Sequence, residues 1–396
     1  MLKGGAMRHF GHLAAETREE LFHREPQEFT ADSPARTLAA ALGATLYSPA
    51  TRGTLADDVL KQAARGVVSM VLCLEDSIDD RDVPAGEANL VRQFRDLADR
   101  PGAAGQIPLL FIRVRTPGQI TDLVRRLGET VRLLSGFVLP KFTEESGVPF
   151  LEALSQAEAS CGRRLFAMPV LESPELLHLE SRVETLYGIS RTVDKYRDRV
   201  LALRLGVTDF CSSYGLRRAP AMTAYDVQIV AAVIADVVNV LGRADGSGFV
   251  VTGPVWEYFR HQERMFKPQL RRSPFSPEAE DLREALLERD MDGLLREIEL
   301  DRANGLQGKT CIHPTHVPVV HALSVVTHEE FSDAADILHE DRSGGGVLRS
   351  AYTNKMNEVK PHRAWAERTL HRAAAFGVAR EGISFVELLA AGLPPA

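Results

Sequence analysis

Eight short runs rich in Val, Ile, Leu and Phe recur along the middle of this chain without alternating apolar and polar residues: 44–47, 68–74, 109–114, 136–139, 165–171, 201–205, 248–252 and 310–312. Unbroken apolar runs of this length are expected of parallel strands buried on both faces. Parallel strands need crossover connections, and the intervening segments carry helix-start signals. Thr116-Pro117 and Ser173-Pro174 each place a capping hydroxyl before a proline at the first helical position, and Thr54 with Asp57 resembles a capping box. Repeated strand, turn and capped helix predict an α/β fold, a TIM (β/α)8 barrel over residues 36–327. The alternative is a doubly wound open sheet. Against it, no Gly-rich phosphate turn follows the first run, and polar residues follow many runs rather than one switch point. Residues 1–35 read as an N-terminal helical extension and 328–396 as a C-terminal helical arm, with Ser343-Gly344-Gly345-Gly346 as a turn or hinge.

Composition narrows the classes of function. The 396 residues suffice for a large core, and 44% hydrophobic with 26% charged residues is ordinary for a globular protein. A net charge of -7 argues against nonspecific nucleic-acid binding. The four cysteines are far apart, without metal-type spacing, so a reduced compartment, the cytoplasm, is expected. The N-terminal segment has no apolar core of the signal-peptide kind. The most apolar long stretch, Ile229 to Leu241, contains Asp236 and Asn239 and falls short of the ~20 residues that span a membrane, so it reads as a core-packed helix.

In a barrel, residues just past the strand C-termini meet around one cavity. That set is Ser48, Glu75, Asp76, Arg113, Arg115, Lys141, Glu172, Asp209, Thr252 and His313. Glu172 and Asp209 end neighbouring runs, and two hard oxygen donors suit Mg2+, which takes few protein ligands and leaves other positions to water and substrate. Either acid alone is equally well explained as a cap on the helix that follows it. Glu75 or Asp76 would accept hydrogen bonds from metal-bound water. Arg113 offers a fixed fork of donors for a carboxylate or an enolate oxygen, or a salt bridge to Glu75, Asp76 or Glu172, and both can hold at once. Lys141 has the chemistry for a Schiff base, but acidic neighbours keep an ammonium protonated, so a salt bridge to Glu172 or Glu75 is favoured. His313 reads as a hydrogen-bonded residue of a tight His-Pro turn. Arg217 and Arg218, in the long loop from Cys211 to Ala224, either meet a phosphate-bearing cosubstrate or form a solvated surface pair.

An ordered set of segments resembles the HpcH/HpaI aldolase and citrate lyase beta-subunit family, which also holds malyl-CoA lyases. The segments are LYSPA at 46–50, LCLEDSI at 72–78, FIRVR at 111–115, GFVLPKF at 136–142, MPVLES at 168–173, LRLGVTDF at 203–210 and GLQGKTCIHPTHV at 305–317. The resemblance implies a Mg2+-dependent carbon-carbon lyase on a TIM barrel, acting on a 2-oxo acid or a β-hydroxy acyl substrate such as a CoA thioester. It implies that Glu172 and Asp209 bind the metal, that Arg113 contacts substrate, and that Glu75 and Asp76 stand in the outer shell; Lys141 and Ser48, at the same strand ends, are the further candidates for substrate contact. Alternatives are a pyruvate-type aldolase that uses no CoA, and a catalytically silent barrel serving as a scaffold. The C-terminal GGGVLRSAYTNKMNEVK resembles the family's Gly-Lys-Met-hydrophobic-Asp segment, which brings an acid to a neighbouring subunit's site. Here Asn357 and Glu358 stand where a hydrophobic residue and Asp are expected, which makes Glu358 the candidate acid-base residue and implies a homo-oligomer, by resemblance a trimer. The family's Ala-Arg pair after the metal Asp is not evident, with Tyr225-Asp226 near that point. Extra chain at 178–199 and 248–265 is similar to the branch of carbon-carbon bond lyases associated with tellurium-resistance gene clusters.

Overall fold

The computed structural model describes residues 5–100, 107–259, 291–339 and 346–393. Eight strands form one sheet: β1 (Ala44–Pro49), β2 (Ser69–Cys73), β3 (Leu109–Arg113), β4 (Leu134–Leu139), β5 (Phe166–Leu171), β6 (Leu203–Leu205), β7 (Val251–Thr252) and β8 (Lys309–Cys311). From β1 to β7 each strand pairs in parallel with the next, and β8 returns to β1 through Ala44↔Lys309, Thr45↔Thr310 and Leu46↔Cys311. A parallel bridge between Gly253 and Lys309 closes the last seam, with Gly253 N–H donating to the Gly308 carbonyl at 3.1 Å and Thr310 N–H to the Gly253 carbonyl at 3.2 Å. The sheet is therefore a barrel rather than an open wound sheet. Strand β7 is short, and Pro254, lacking an N–H, cannot extend its ladder.

The two sides of the strands bury different partners. Val71, Phe111, Val138, Met168 and Val170 fill the barrel, whereas their neighbours Leu72, Ile112, Leu139 and Leu171 pack against the helix layer. Both faces are apolar, which is why the runs do not alternate. The helix Pro117–Leu127 starts on Thr116 as expected, but Ser173-Pro174 opens only a single turn, Pro174–Leu176, before the helix Leu179–Lys195. The expected capping box at Thr54 is not made: its hydroxyl donates to Asp58 at 3.2 Å, and Asp57 instead takes Arg100 at 2.7 Å. The helix Gln228–Leu241 packs one face into the core, and no helix among the described residues is long and apolar enough to cross a membrane.

The N-terminal segment is less helical than expected. Ala15–Leu21 forms a helix, but Phe22–Arg24 is a strand paired antiparallel with Val378–Ala379. In the arm, the helices His328–Leu338 and Val359–Phe376 flank a hairpin of Val347–Arg349 and Met356–Glu358. Phe376 stacks on His9 at 4.1 Å, so arm and N-terminal segment fold together beneath the barrel. Residues 343–345 of the glycine-rich run and 260–265 of the second extra stretch lie outside the described residues.

Candidate active site

The site is built at the C-terminal ends of β2 to β6. Arg113, the last residue of β3, is buried, and its Nη2 lies 2.6 Å from Glu75 Oε2, 3.1 Å from Asp76 Oδ2 and 2.8 Å from Glu172 Oε1. Glu75 also takes Lys141 Nζ at 2.8 Å on Oε1 and the Asp76 N–H at 3.0 Å on Oε2. Lys141 adopts a left-handed backbone (φ 46°), and its N–H donates to Glu172 Oε1 at 3.0 Å. A non-glycine residue in that region is locally strained, and here the bend aims a main-chain donor at a buried carboxylate.

Asp209 enters from the first turn of the helix Val207–Ser213. Asp76, Glu172 and Asp209 each offer a carboxylate oxygen, and these atoms lie within 4.8 Å of one another. Burial pushes the Glu172 carboxyl up to about 7; Arg113 opposes this and the charge of Asp209 adds to it. Burial together with the hydrogen bond to Glu75 pushes Asp76 up to about 6, and burial also raises Asp209. Burial acts on Glu75 in the same sense, but Arg113, Asp76 and Lys141 outweigh it and leave Glu75 below the ordinary range. Three crowded carboxylates that resist ionising together, made of hard oxygen donors, are the arrangement a divalent cation relieves.

Of the residues singled out by sequence, Glu75, Asp76, Arg113, Lys141, Glu172 and Asp209 come together. Asp76, expected outside the metal shell, is instead the third member of the trio, while Glu75 is engaged by Arg113 and Lys141. Ser48 pairs with Leu72 and shares the helix-facing side of β1 with Leu46; the inward residue there is Tyr47. Arg115 braces the turn after β2 through the Leu74 carbonyl at 2.6 Å and Asp80 at 2.5 Å. His313 bonds Thr315 Oγ1 at 2.8 Å and stacks on Phe259 at 4.5 Å. Arg217 is exposed, but Arg218 is no surface residue: it is buried, 2.6 Å from Glu297 and donating to the Val255 carbonyl at 2.7 Å. Glu358 is exposed on the arm hairpin, where its N–H donates to His362 Nδ1 at 3.1 Å.

Three residues that matter to this site were not indicated by the expected strand ends. Gly206 leaves the space that Glu172 fills. Arg204 is 1% exposed inside the barrel, where it donates to Thr310 Oγ1 at 2.6 Å and Thr45 Oγ1 at 3.3 Å, with no acid paired to it among the described residues and its Nε unpartnered. Tyr47 lies over that guanidinium, 5.4 Å from ring centroid to Arg204 Cζ, and opposite Arg204 the buried Thr252 hydroxyl also lacks a partner. The one sequence sign of this group is a charge inside the apolar run 201–205.

The model of the family described as C-C bond lyase of the TIM-barrel fold matches residues 36–378. No curated protein matches the sequence. Among solved structures, a citrate lyase from Burkholderia xenovorans LB400 superposes with a TM-score of 0.61 at 16% identity, covering 88% of this chain and 96% of that one. Protein CitE from Mycobacterium tuberculosis, crystallised with magnesium, acetoacetate and coenzyme A, gives a TM-score of 0.52 at 20% identity, covering 85% of this chain and 99% of that one. With most of its length matched by the family model, and with the barrel on which that family is built, this chain belongs to the C-C bond lyases of the TIM-barrel fold.

Proposed function

We propose that this protein is a Mg2+-dependent carbon-carbon lyase that makes or breaks the Cα–Cβ bond, one removed from the carbonyl, of a 2-oxo acid or β-hydroxy acyl substrate. The observation that carries this reading is the trio Asp76, Glu172 and Asp209, which would hold the ion. When bound, Mg2+ supplies Lewis-acid polarisation and a template for the substrate oxygens. Arg113, kept charged by the acids around it, provides a preorganised positive group for the enolate that develops on cleavage. Lys141 is held protonated chiefly by its bond to Glu75, so it acts by charge and not as a Schiff-base nucleophile. The Mycobacterium tuberculosis relative was crystallised with magnesium, coenzyme A and acetoacetate, a small oxo acid although a 3-oxo one, which supports a site for metal and carboxylate.

Glu358 is the proton carrier in this reading, reaching the mouth of a neighbouring subunit in a homo-oligomer. Supporting this, the hairpin exposes Val347 and Met356, which with Glu358 stand on one side of its ladder, and Leu179, Val183, Tyr187, Tyr214 and Leu216 leave apolar surface on helices and loops that follow β5 and β6. Lys141 lines the substrate side, with Tyr47 rather than Ser48 as the inward residue of β1. The four unpaired cysteines fit a reducing compartment, the cytoplasm.

A second reading, a pyruvate-type aldolase without CoA, is favoured by Arg218, whose guanidinium is engaged by Glu297 and so is withdrawn from any phosphate at that loop. Calorimetric titration of the purified protein and Glu172→Gln with Mg2+, then with acetyl-CoA, oxaloacetate and pyruvate, separates these readings. Binding of Mg2+ lost in Glu172→Gln supports the lyase site, and acetyl-CoA binding divides the two. An unmodified protein that takes no Mg2+ with any 2-oxo acid present would instead be a silent barrel.

A further inference from the structure

At the end of the barrel opposite the acids, a cavity of about 450 Å³ opens between the barrel and the arm. Its barrel wall includes the segment 305–308 that feeds β8, and its arm wall is the helix Val359–Phe376. Three guanidinium groups line it, those of Arg302, Arg368 and Arg372. The acids there are fewer in effect. Asp301 is engaged by Lys309 at 2.7 Å and by the Tyr225 hydroxyl at 2.9 Å, Glu330 meets Arg372 at 2.7 Å, and Glu299 stands at the exposed rim, as do Arg302 and Arg368.

The arginines keep donors to spare. Arg372 Nε is buried without a partner, and burial, with the charge of Arg302 beside it, makes its guanidinium hold its proton less tightly than usual despite Glu330. Arg368 donates to the Gly242 carbonyl at 2.8 Å through Nη2, while its Nη1 stands 3.9 Å from where a side chain on Gly305 would begin. Trp365 precedes Arg368 and Arg372 by three and seven positions, so all three share one face of the helix, and its indole is 37% exposed at the cavity.

We propose that this cavity is a binding site for an organic anion bearing a flat ring, of the nucleoside phosphate class. Guanidinium forks match phosphate oxygens two at a time, and an indole face offers a stacking surface for a base. The volume falls in the range of small-molecule sites, ~300–1,000 Å³. A shared anion also offsets the repulsion between Arg302 and Arg372, which Glu330 alone leaves in place.

Titrating ADP and inorganic pyrophosphate into the full chain in EDTA, by calorimetry and by Trp365 fluorescence, tests this, since the other tryptophan, Trp256, is buried. ADP should bind saturably with Kd below about 1 mM and quench the fluorescence, and pyrophosphate should compete with it. Arg372→Gln and Arg368→Ala should each weaken both ligands about tenfold or more, the loss expected for charge-assisted hydrogen bonds. Trp365→Leu should weaken ADP while leaving pyrophosphate unchanged, Arg372→Lys should retain part of the affinity, and Glu172→Gln should leave it intact. Circular dichroism identifies any variant that fails to fold. The proposal is overturned by no saturable binding of either ligand, by affinity unchanged in folded Arg372→Gln and Arg368→Ala, or by affinity lost in Glu172→Gln.

Discussion

Gly206 and Glu172 are fitted to one another: a Cβ on residue 206 would stand 2.3 Å from the Glu172 Cβ and 2.5 Å from its Oε2. The obstacle is the root of the side chain as well as its tip, so a rotamer change does not clear it. Gly206→Ala should therefore displace Glu172 or shift the turn before Asp209, costing about 1–3 kcal/mol in urea unfolding, the usual penalty of overpacking. Mg2+ affinity should fall in the same variant. Unchanged affinity and stability would show that the trio does not depend on this fit.

Protons and Mg2+ should compete for the trio. Glu172 and Asp76 are raised to about 7 and about 6, so between their unfolded values and these the metal-free fold holds more protons than the unfolded chain. Stability from these groups therefore decreases as pH rises through that window and is greatest below it. Glu75, which is lowered, works in the opposite sense at more acid pH. Added Mg2+ should raise Tm at about pH 8 and do little at about pH 5.5, because ligation needs the ionised carboxylates. A scanning-calorimetry series across pH with and without Mg2+ checks this, and an equal Mg2+ effect at both ends would sink it.

The barrel was legible because burial on both strand faces writes itself as unbroken apolar runs, and all eight runs overlap strands, although 248–252 is strand only at Val251–Thr252. The acid cluster was legible because strand ends converge in such a fold. What could not be read was the division of labour between adjacent residues. Glu75 and Asp76 differ in role because the turn after β2 gives one to Arg113 and Lys141 and turns the other toward Glu172. Arg218 finds Glu297, 79 positions away, a pairing that no local pattern encodes.

Among the described residues Arg204 carries a charge into the barrel without an acid to meet it, and burying an unpaired ion costs more than two hydroxyl contacts return. Arg204→Met should accordingly raise stability by about 1–3 kcal/mol, the gain seen when buried ionic groups give way to apolar ones. Thr310 loses a donor in the exchange, while Thr45 keeps the Ser69 hydroxyl at 3.1 Å. Urea unfolding of the metal-free protein measures the change. A loss of stability would mean that the guanidinium is compensated within the barrel and serves the fold.

The placement of Glu358 on the arm can be tested without knowing the oligomer's size. Glu172 and Glu358 would reach one active site from two chains, so Glu172→Gln and Glu358→Gln should each be inactive alone. Unfolded together in equal amounts and refolded, they should regain about a quarter of wild-type activity, because one site in four then pairs an intact trio with a neighbour's intact Glu358, in a cyclic dimer or trimer alike. If both residues served the same chain's site, every site in the mixture would lack one of them and no activity would return. The readout is carbon-carbon cleavage by whichever 2-oxo acid or acyl substrate the titrations identify, with light scattering to verify that the mixed subunits assemble.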